Sequence, residues 1–457
     1  MAAPRVIVVG AGPAGTRAAE VLVAAGLRPL VIDEAADNGG QIYRRQPAGF
    51  RRRAEALYGT EAGRARAVHG VFSALRGRIE HWPQSLAWQL RDGALQVERG
   101  GRAHRLEFDR IILATGATDR LLPIPGWTRP GAFSLGAAQI ALKAQACAIG
   151  RRVVFLGSGP LLYLVAAQYV KAGATVAAVL DTAPASARRA ALPLMASRPS
   201  LLVKGAALLW RLKRAGVPVH HGVTPLRIEG ESRVTGVVFR DSTGRERRLE
   251  GDAVGMGWHL RAESQLADLA GCAFDFDPVS RQWLPRIDVD GRSSVDGVYL
   301  AGDGVRLAGA DGAELGGRLA ALAVLQDLGL PAPAGVDAAA LRRGLARMER
   351  FRQGLAIAFP WPGELIAALP DETLVCRCEA ITAGQLRRGA TTLEAPEMNR
   401  AKAFTRVGMG RCQGRFCGIA GAEILSAARG EPMQAAGRIR SAAPVKPLPV
   451  AIELETP

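Results

Sequence analysis

Four of the six cysteines stand near the C-terminal end as two pairs, Cys376-Arg377-Cys378 and, after a gap of 33 residues, Cys412-Gln413-Gly414-Arg415-Phe416-Cys417. Four thiolates in two pairs suit one tetrahedral zinc or one 2Fe-2S cluster, in a reducing compartment rather than a disulfide framework. The second pair lies in GMGRCQGRFCG, where Gly408, Gly410, Gly414 and Gly418 keep the backbone bare beside the sulfurs. Amides can then bond to the sulfurs and tune a redox potential, a property structural zinc does not require. An iron-sulfur cluster on Cys376, Cys378, Cys412 and Cys417 is the expected reading, with zinc as the alternative. Cys147 and Cys272 stand alone and are expected to be small core residues. The six histidines, His69, His81, His104, His220, His221 and His259, show no ligand or triad spacing, and no catalytic residue is assigned.

A different chemistry is written at the N-terminal end. RVIVV is a buried-strand pattern, and Gly10, Gly12 and Gly15 follow in GxGxxG spacing, with Pro13 and Ala14 between, before the helical run TRAAEVLVAAG. The first glycine permits a tight turn, the second lets the backbone approach a pyrophosphate, and the third lets the helix pack on the strand, its N-terminus stabilising the anion. The next strand, RPLVID, runs into Asp33 and Glu34, about 20 residues on, where an acid can bond an adenosine ribose. Three further segments accompany this site: Gly39-Gly40-Gln41, Ala114-Thr115-Gly116 in FDRIILATGATDR, and Gly302-Asp303 in GVYLAGDG. No CxxC pair lies near them, so disulfide-reductase chemistry has no carrier.

A second strand-turn-helix begins at Arg152 with RVVFLGSGPLL, and its following strand ends at Asp181. Here the third glycine is Leu162. A leucine there would push the helix from the strand or fill ligand space, so the phosphate site is expected to be altered or closed. Asp181 could still bond a ribose, which leaves an adenine nucleotide open.

The elements that position these motifs alternate strand and helix, so the fold class is α/β. At 457 residues the chain should divide into two to four units. The net charge of +17 comes from 59 Lys and Arg, only six of them Lys, with no nucleic-acid reader motif beside it. The basic run RRQPAGFRRR is expected to be a solvated surface, with an anionic partner or membrane face as the alternative. MAAPRVIVVGAGPAG goes directly into a strand pattern, which is read as cytoplasmic. The uncharged run from Val153 to Val170 is interrupted by Gly-Ser-Gly-Pro, so no transmembrane span is expected.

The glycine, Gly-Gly-Gln, Ala-Thr-Gly and Gly-Asp segments resemble the flavin-binding segments of the two-dinucleotide-binding-domain flavoproteins, the glutathione-reductase-like fold, over most of residues 1 to 330. That resemblance implies FAD held by Gly10, Gly12, Pro13, Ala14, Gly15, Asp33, Glu34, Gly40, Gln41, Ala114, Thr115, Gly116, Gly302 and Asp303. Asp303 would bond the ribityl chain. The helix GAELGGRLAAL would point its N-terminus at the flavin ring, with Gly316 and Gly317 there. VCRCEAITAGQL with GMGRCQGRFCG resembles the 2Fe-2S domain of the bacterioferritin-associated-ferredoxin (BFD-like) type, although the simplest members have CxxC as the second pair. The expected domains are an FAD-binding domain at 1–125 and 285–330, a degenerate nucleotide-binding-like domain at 126–284, a connector at 331–370, the small C-terminal 2Fe-2S domain at 371–435, and a Pro-rich tail at 436–457. The tail is expected to be an extended strap on this chain or a partner, or else a loose terminus.

Nearly end to end, through GGQIYR, GSGPLLYLVAAQ, GRLAALAVLQDLG, CRCE, GMGRCQGRFCG and RIRSAAPVKPLPV, the chain resembles the larger FAD and 2Fe-2S subunit of heteromeric flavin-dependent amino-acid dehydrogenases. That group takes in octopine and nopaline oxidases, D-hydroxyproline dehydrogenase and hydrogen cyanide synthase. The resemblance implies one subunit of an oxidoreductase that works on CH-NH or CH-NH2 donors. A smaller FAD-dependent oxidase-like subunit would oxidise the substrate, and this chain would relay electrons to a respiratory acceptor such as quinone, at the inner face of the membrane. An FMN at a subunit interface stays open. Two other readings are a stand-alone NAD(P)H-dependent flavin and iron-sulfur reductase, which Leu162 disfavours, and a redox-sensing or iron-handling module, which has no use for a ribityl-binding aspartate.

Overall fold

The computed structural model describes residues 4–454. Val6–Val9 reads VIVV and is fully buried, because β-branched side chains suit a sheet covered on both faces. It is the middle strand of a parallel five-stranded sheet in the order 298–300, 110–113, 6–9, 30–32, 80–82. A strand from near residue 300 therefore lies beside strands from the first 113 residues, and the chain between is an insertion. Helices Pro13–Ala24 and Gly309–Asp327 cover one face and meet through small residues. A Cβ on Gly317 would stand 2.1 Å from the Ala14 carbonyl oxygen.

The insertion carries a second parallel sheet, ordered 219–221, 175–181, 152–158, 253–258, 132–134. The two units are joined by the antiparallel strands Ala117–Asp119 and Leu260–Ala262. The connector is no loose linker. Helix Ala338–Ala358, capped by the Asp337 carboxylate on the N–H groups of Ala339 and Ala340, packs against helices Ala185–Met195 and Gly309–Asp327.

The cysteine-bearing unit is a short hairpin, Leu374–Cys376 with Ile381–Thr382, followed by helices Ala383–Thr391, Met398–Thr405 and Gly418–Arg429. A capping box between Thr382 and Gln385 starts the first helix. This unit has no separate core. Its Cys376, Leu386 and Ile424 share one buried cluster with Trp127, Val254 and Trp258 of the inserted unit, and Trp127 Nε1 donates to the Leu374 carbonyl at 2.6 Å.

From there the tail returns to the first unit as an extended strap. The Val445 N–H donates to the Trp88 carbonyl at 3.0 Å, and Glu453 pairs with Arg102 in strand register. The basic run is partly tied down, since Arg52 donates to the carbonyls of Leu142 and Lys143 while Arg53 is exposed. Cys272 is buried, as expected, but Cys147 is exposed. It follows the end of helix Leu135–Ala144 in a turn that faces its side chain outward. Among the described residues no helix is long and apolar enough to cross a membrane.

Candidate functional site

The N-terminal glycines divide into those the fold requires and one it does not. Gly10 has φ +106°, and a Cβ there would lie 2.3 Å from the Ala114 carbonyl oxygen; a Cβ on Gly15 would lie 1.7 Å from the Gly10 carbonyl oxygen. A Cβ on Gly12 would meet nothing nearer than the Gly40 Cα at 3.6 Å, an ordinary contact. The bare backbone at Gly12 is thus free for a ligand rather than for packing. Gly12 is also the N-cap of the helix that begins at Pro13, with no side chain bonded to its first amides and no acid in its first turn. Those open donors fit a pyrophosphate.

The other flavin segments surround this turn. Asp33 accepts the N–H of Ala11 at 2.6 Å and of Ala35 at 2.7 Å, and burial pushes its carboxyl upward. Its remaining lone pairs stay available to a ribose. Glu34 is instead paired with Lys446 of the strap, beside a cavity of about 370 Å3 that Arg44, Leu86 and Pro447 also line. The Gly39 N–H donates to the Ala11 carbonyl, Gln41 accepts from Arg44 at 2.9 Å, and the buried Lys143 donates to the Ile42 carbonyl at 2.9 Å. Burial drives the Lys143 amine down to about 7. Asp303 accepts the N–H groups of Ala308 and Gly309, both on Oδ1 at 2.9 Å, leaving Oδ2 without a partner among the described residues. Burial raises its carboxyl to about 6.

Gly316 and Gly317 are placed differently from the expectation. The helix begins at Gly309, so both lie two turns inside it, where Gly316 faces the Gly302 amide and Gly317 packs on Ala14. Small residues there let three segments meet; the helix N-terminus itself is at Gly309.

The four paired thiols come together from two loops. Among the described residues no three His, Cys, Asp or Glu side chains form a ready-made single-ion site. What the chain presents is thiols in mutual contact, Cys378 with Cys412, Cys412 with Cys417, and Cys417 with Cys376. Hydrogen bonds from Cys417 hold Cys376 near 6 and Cys412 near 5, and Cys417, as their partner, is pushed well up. Backbone N–H groups of Gly408 and Glu379 bond to Cys376, and those of Phe416 and Gly414 to Cys412. Two of the four thiols, Cys376 and Cys412, are disposed to lose protons and have amides aimed at their sulfurs, while burial raises Cys378; four cysteines gathered in this way fit a cluster ligand set.

Residues 261–265 connect the two sites, and sequence reasoning missed them. Thr115 Oγ1 donates to the Glu263 carbonyl at 2.5 Å, and the Glu263 N–H donates to the Gly116 carbonyl at 3.0 Å. The Glu263 carboxylate in turn accepts both Nε and Nη2 of Arg415 at 2.8 and 3.0 Å; burial pushes its pKa up, but the charges of Arg261 and Arg415 outweigh it and hold the group below its ordinary range. Arg415 also donates to the carbonyls of Cys412 at 3.3 Å and Val445 at 2.6 Å, and Gln265 donates to the Gln413 carbonyl at 2.8 Å. Arg415 is legible as a residue inside the cysteine motif, but its partner lies 152 residues away.

The second nucleotide crevice is filled by the chain itself. Leu162 is fully buried in the core between helix Pro160–Lys171 and strand Arg152–Ser158. Asp181 is fully buried too, bonded to the Tyr163 hydroxyl, to Arg188 at 2.5 Å and to the Ala183 N–H at 2.9 Å. Phe359, at the end of the connector helix, packs on the rings of Tyr163 and His259, and its carbonyl is 2.6 Å from His259 Nε2. Asp181, the side chain the sequence offers to a ribose, is thus already engaged within the chain.

Residues 4–324 match the family Pyridine nucleotide-disulphide oxidoreductase, and residues 374–427 match the BFD-like 2Fe-2S binding domain. The chain is 38% identical to one of the subunits of opine oxidase from Rhizobium meliloti over 459 residues, covering 98% of this chain and 86% of the relative. It is 31% identical to hydrogen cyanide synthase subunit HcnB of Pseudomonas aeruginosa, covering 97% of each. Among solved structures, L-proline dehydrogenase of P. horikoshii has the same fold, with a TM-score of 0.68 at 21% identity over 99% of this chain and 79% of that one.

Proposed function

From a chain that belongs to the pyridine nucleotide-disulphide oxidoreductase family and ends in a BFD-like 2Fe-2S domain, we propose an electron relay within a heteromeric amino-acid or imino-acid dehydrogenase of hydroxyproline, opine or glycine type. Its cofactors are FAD and a 2Fe-2S cluster. A smaller flavoprotein subunit would take the substrate, and a respiratory acceptor such as quinone would receive the electrons. Bound FAD can accept electrons in pairs, and a 2Fe-2S cluster can carry them singly.

Each group on the chain then has a task in holding or insulating. The Gly12 backbone and the N–H groups of Ala14 and Gly15 would hold the pyrophosphate, and Asp33 the ribose. Asp303 Oδ2 would receive a ribityl hydroxyl. Cys376, Cys378, Cys412 and Cys417 would hold the cluster, with four backbone amides fixing the sulfurs of Cys376 and Cys412. Tyr163, Asp181, Arg188 and Phe359 keep a dinucleotide out of the second crevice.

One observation carries the reading: the flavin cradle is bonded to the cysteine loop through Glu263 and Arg415, and the engagement of Asp181 by Tyr163 and Arg188 supports a closed nicotinamide route. A stand-alone NAD(P)H reductase needs the opposite arrangement. Dye-linked assays with hydroxyproline, proline, opines and glycine, with and without the co-expressed smaller subunit, test the proposal. Activity is expected only with the partner, and turnover by this chain alone at the rate of the complex would end it.

A further inference from the structure

Between the flavin cradle and the thiols stands an arginine that no hydrogen bond explains. Arg261 lies on the strand Leu260–Ala262, paired with Ala117–Asp119 directly after the Ala-Thr-Gly segment. Its side chain makes no hydrogen bond or ion pair among the described residues, and its Nη1 is sealed from solvent without a partner. The charged groups within its reach are Glu263, Arg415, Cys412 and Cys417. A guanidinium stays protonated even when burial lowers its pKa, as it does here, so a fixed positive charge sits unpaired beside two of the four thiols.

Sealing Nη1 of such a half-buried charge without a partner is costly for folding. The nearest carboxylate, on Glu263, is already taken bidentately by Arg415. The three groups therefore sum to one positive charge at the junction. Adding one electron to a four-thiolate cluster adds one negative charge at the same place. In a poorly solvated junction that attraction is weakly screened.

We infer that Arg261, Glu263 and Arg415 form a charge-setting triad, in which Arg261 favours the reduced cluster and Glu263 opposes it while anchoring Arg415 to the flavin cradle. These are positioning residues and touch no substrate. The purpose of the triad rests on the relay reading, but its effect does not, because the cluster potential is a property of the loaded chain alone.

The test is a redox titration of the cluster in the purified holo-chain, followed by its electron paramagnetic resonance signal, for the parent, Arg261→Met, Arg261→Lys and Glu263→Gln. Arg261→Met should lower the midpoint potential, Arg261→Lys should restore most of it, and Glu263→Gln should raise it. Opposite signs for the two neutralising variants are what a merely structural role would not produce. Equal potentials in all four proteins, or shifts of the same sign in Arg261→Met and Glu263→Gln, would overturn the inference. If Arg261→Met fails to retain its cluster, the Lys and Gln variants decide, since an unchanged potential in Glu263→Gln is itself contrary. Failure of the relay reading would instead appear as activity without the partner, with these shifts intact.

Discussion

Single residues show how two identical-looking glycines can have different reasons to exist. Gly15 is required by the chain, because any side chain there would overlap the Gly10 carbonyl, whereas Gly12 has room for a Cβ and is bare for the ligand. Gly12→Val is accordingly expected to fold and purify without FAD, with a melting temperature near that of the FAD-stripped parent, and Gly15→Val to fall below it. Flavin retained in Gly12→Val, measured by absorbance after gel filtration, would move the cofactor away from this turn. Lys143 carries a pH prediction. Its folded-state pKa of about 7 lies below the ordinary 10.5 because of burial, with Arg44 adding repulsion, so the buried charge penalises folding fully below about pH 7 and progressively less up to 10.5. Lys143→Met should therefore stabilise the protein at pH 6, by roughly 1.4 kcal/mol for each tenfold loss of proton affinity on folding, less about 1 kcal/mol for the lost bond to Ile42. The gain should shrink by pH 9, and melting curves showing a gain that grows with pH would contradict it. The glycines, Asp33, Asp303 and the two cysteine pairs were legible as candidates in the sequence because the spacing within each motif is local. Arg261 and Glu263 were not, because their meaning depends on a charge network assembled across the fold.

At the level of elements, the closed crevice was half legible. Leu162 announced that the second turn departs from a dinucleotide site, but nothing local told that Tyr163 and Arg188 occupy Asp181 or that the end of the connector helix covers them. The connector, read only as the segment joining two domains, contains the packed helix Ala338–Ala358. NADH mixed anaerobically with the holo-chain should bleach the flavin negligibly. Leu162→Gly should not restore the reaction, since Asp181 stays engaged, and it should destabilise the fold by roughly 3 kcal/mol or more through the cavity and the added backbone freedom. Rapid stoichiometric bleaching of the parent by NADH or NADPH would reopen the reductase reading. The strap was legible as an extended Pro-rich tail, though its anchor points, among them Trp88, Glu34 and Arg102, were not.

Across the whole molecule, the cysteine-bearing part is built into the inserted domain through a shared core and is strapped back to the flavin domain by residues 438–454. Ion pairs rivet it from two sides, Arg281 to Glu423 at 2.8 and 3.0 Å and Arg438 to Asp268 at 2.7 Å twice. Such an assembly holds the two cofactor sites at a fixed separation, which a relay requires and a detachable ferredoxin-like module does not. In the proposed relay, electrons from a substrate would enter by way of another subunit and reach the cluster of this chain. The most direct measurement is to add the amino-acid substrate anaerobically to the chain, with and without its smaller subunit, and follow the paramagnetic signal of the reduced 2Fe-2S cluster. The relay predicts a signal that appears within turnover time only when the partner is present and that is absent when Cys417→Ser replaces the parent chain. Substrate oxidation to dye at full rate while the cluster stays oxidised, or a cluster reduced by substrate without any partner, would contradict it.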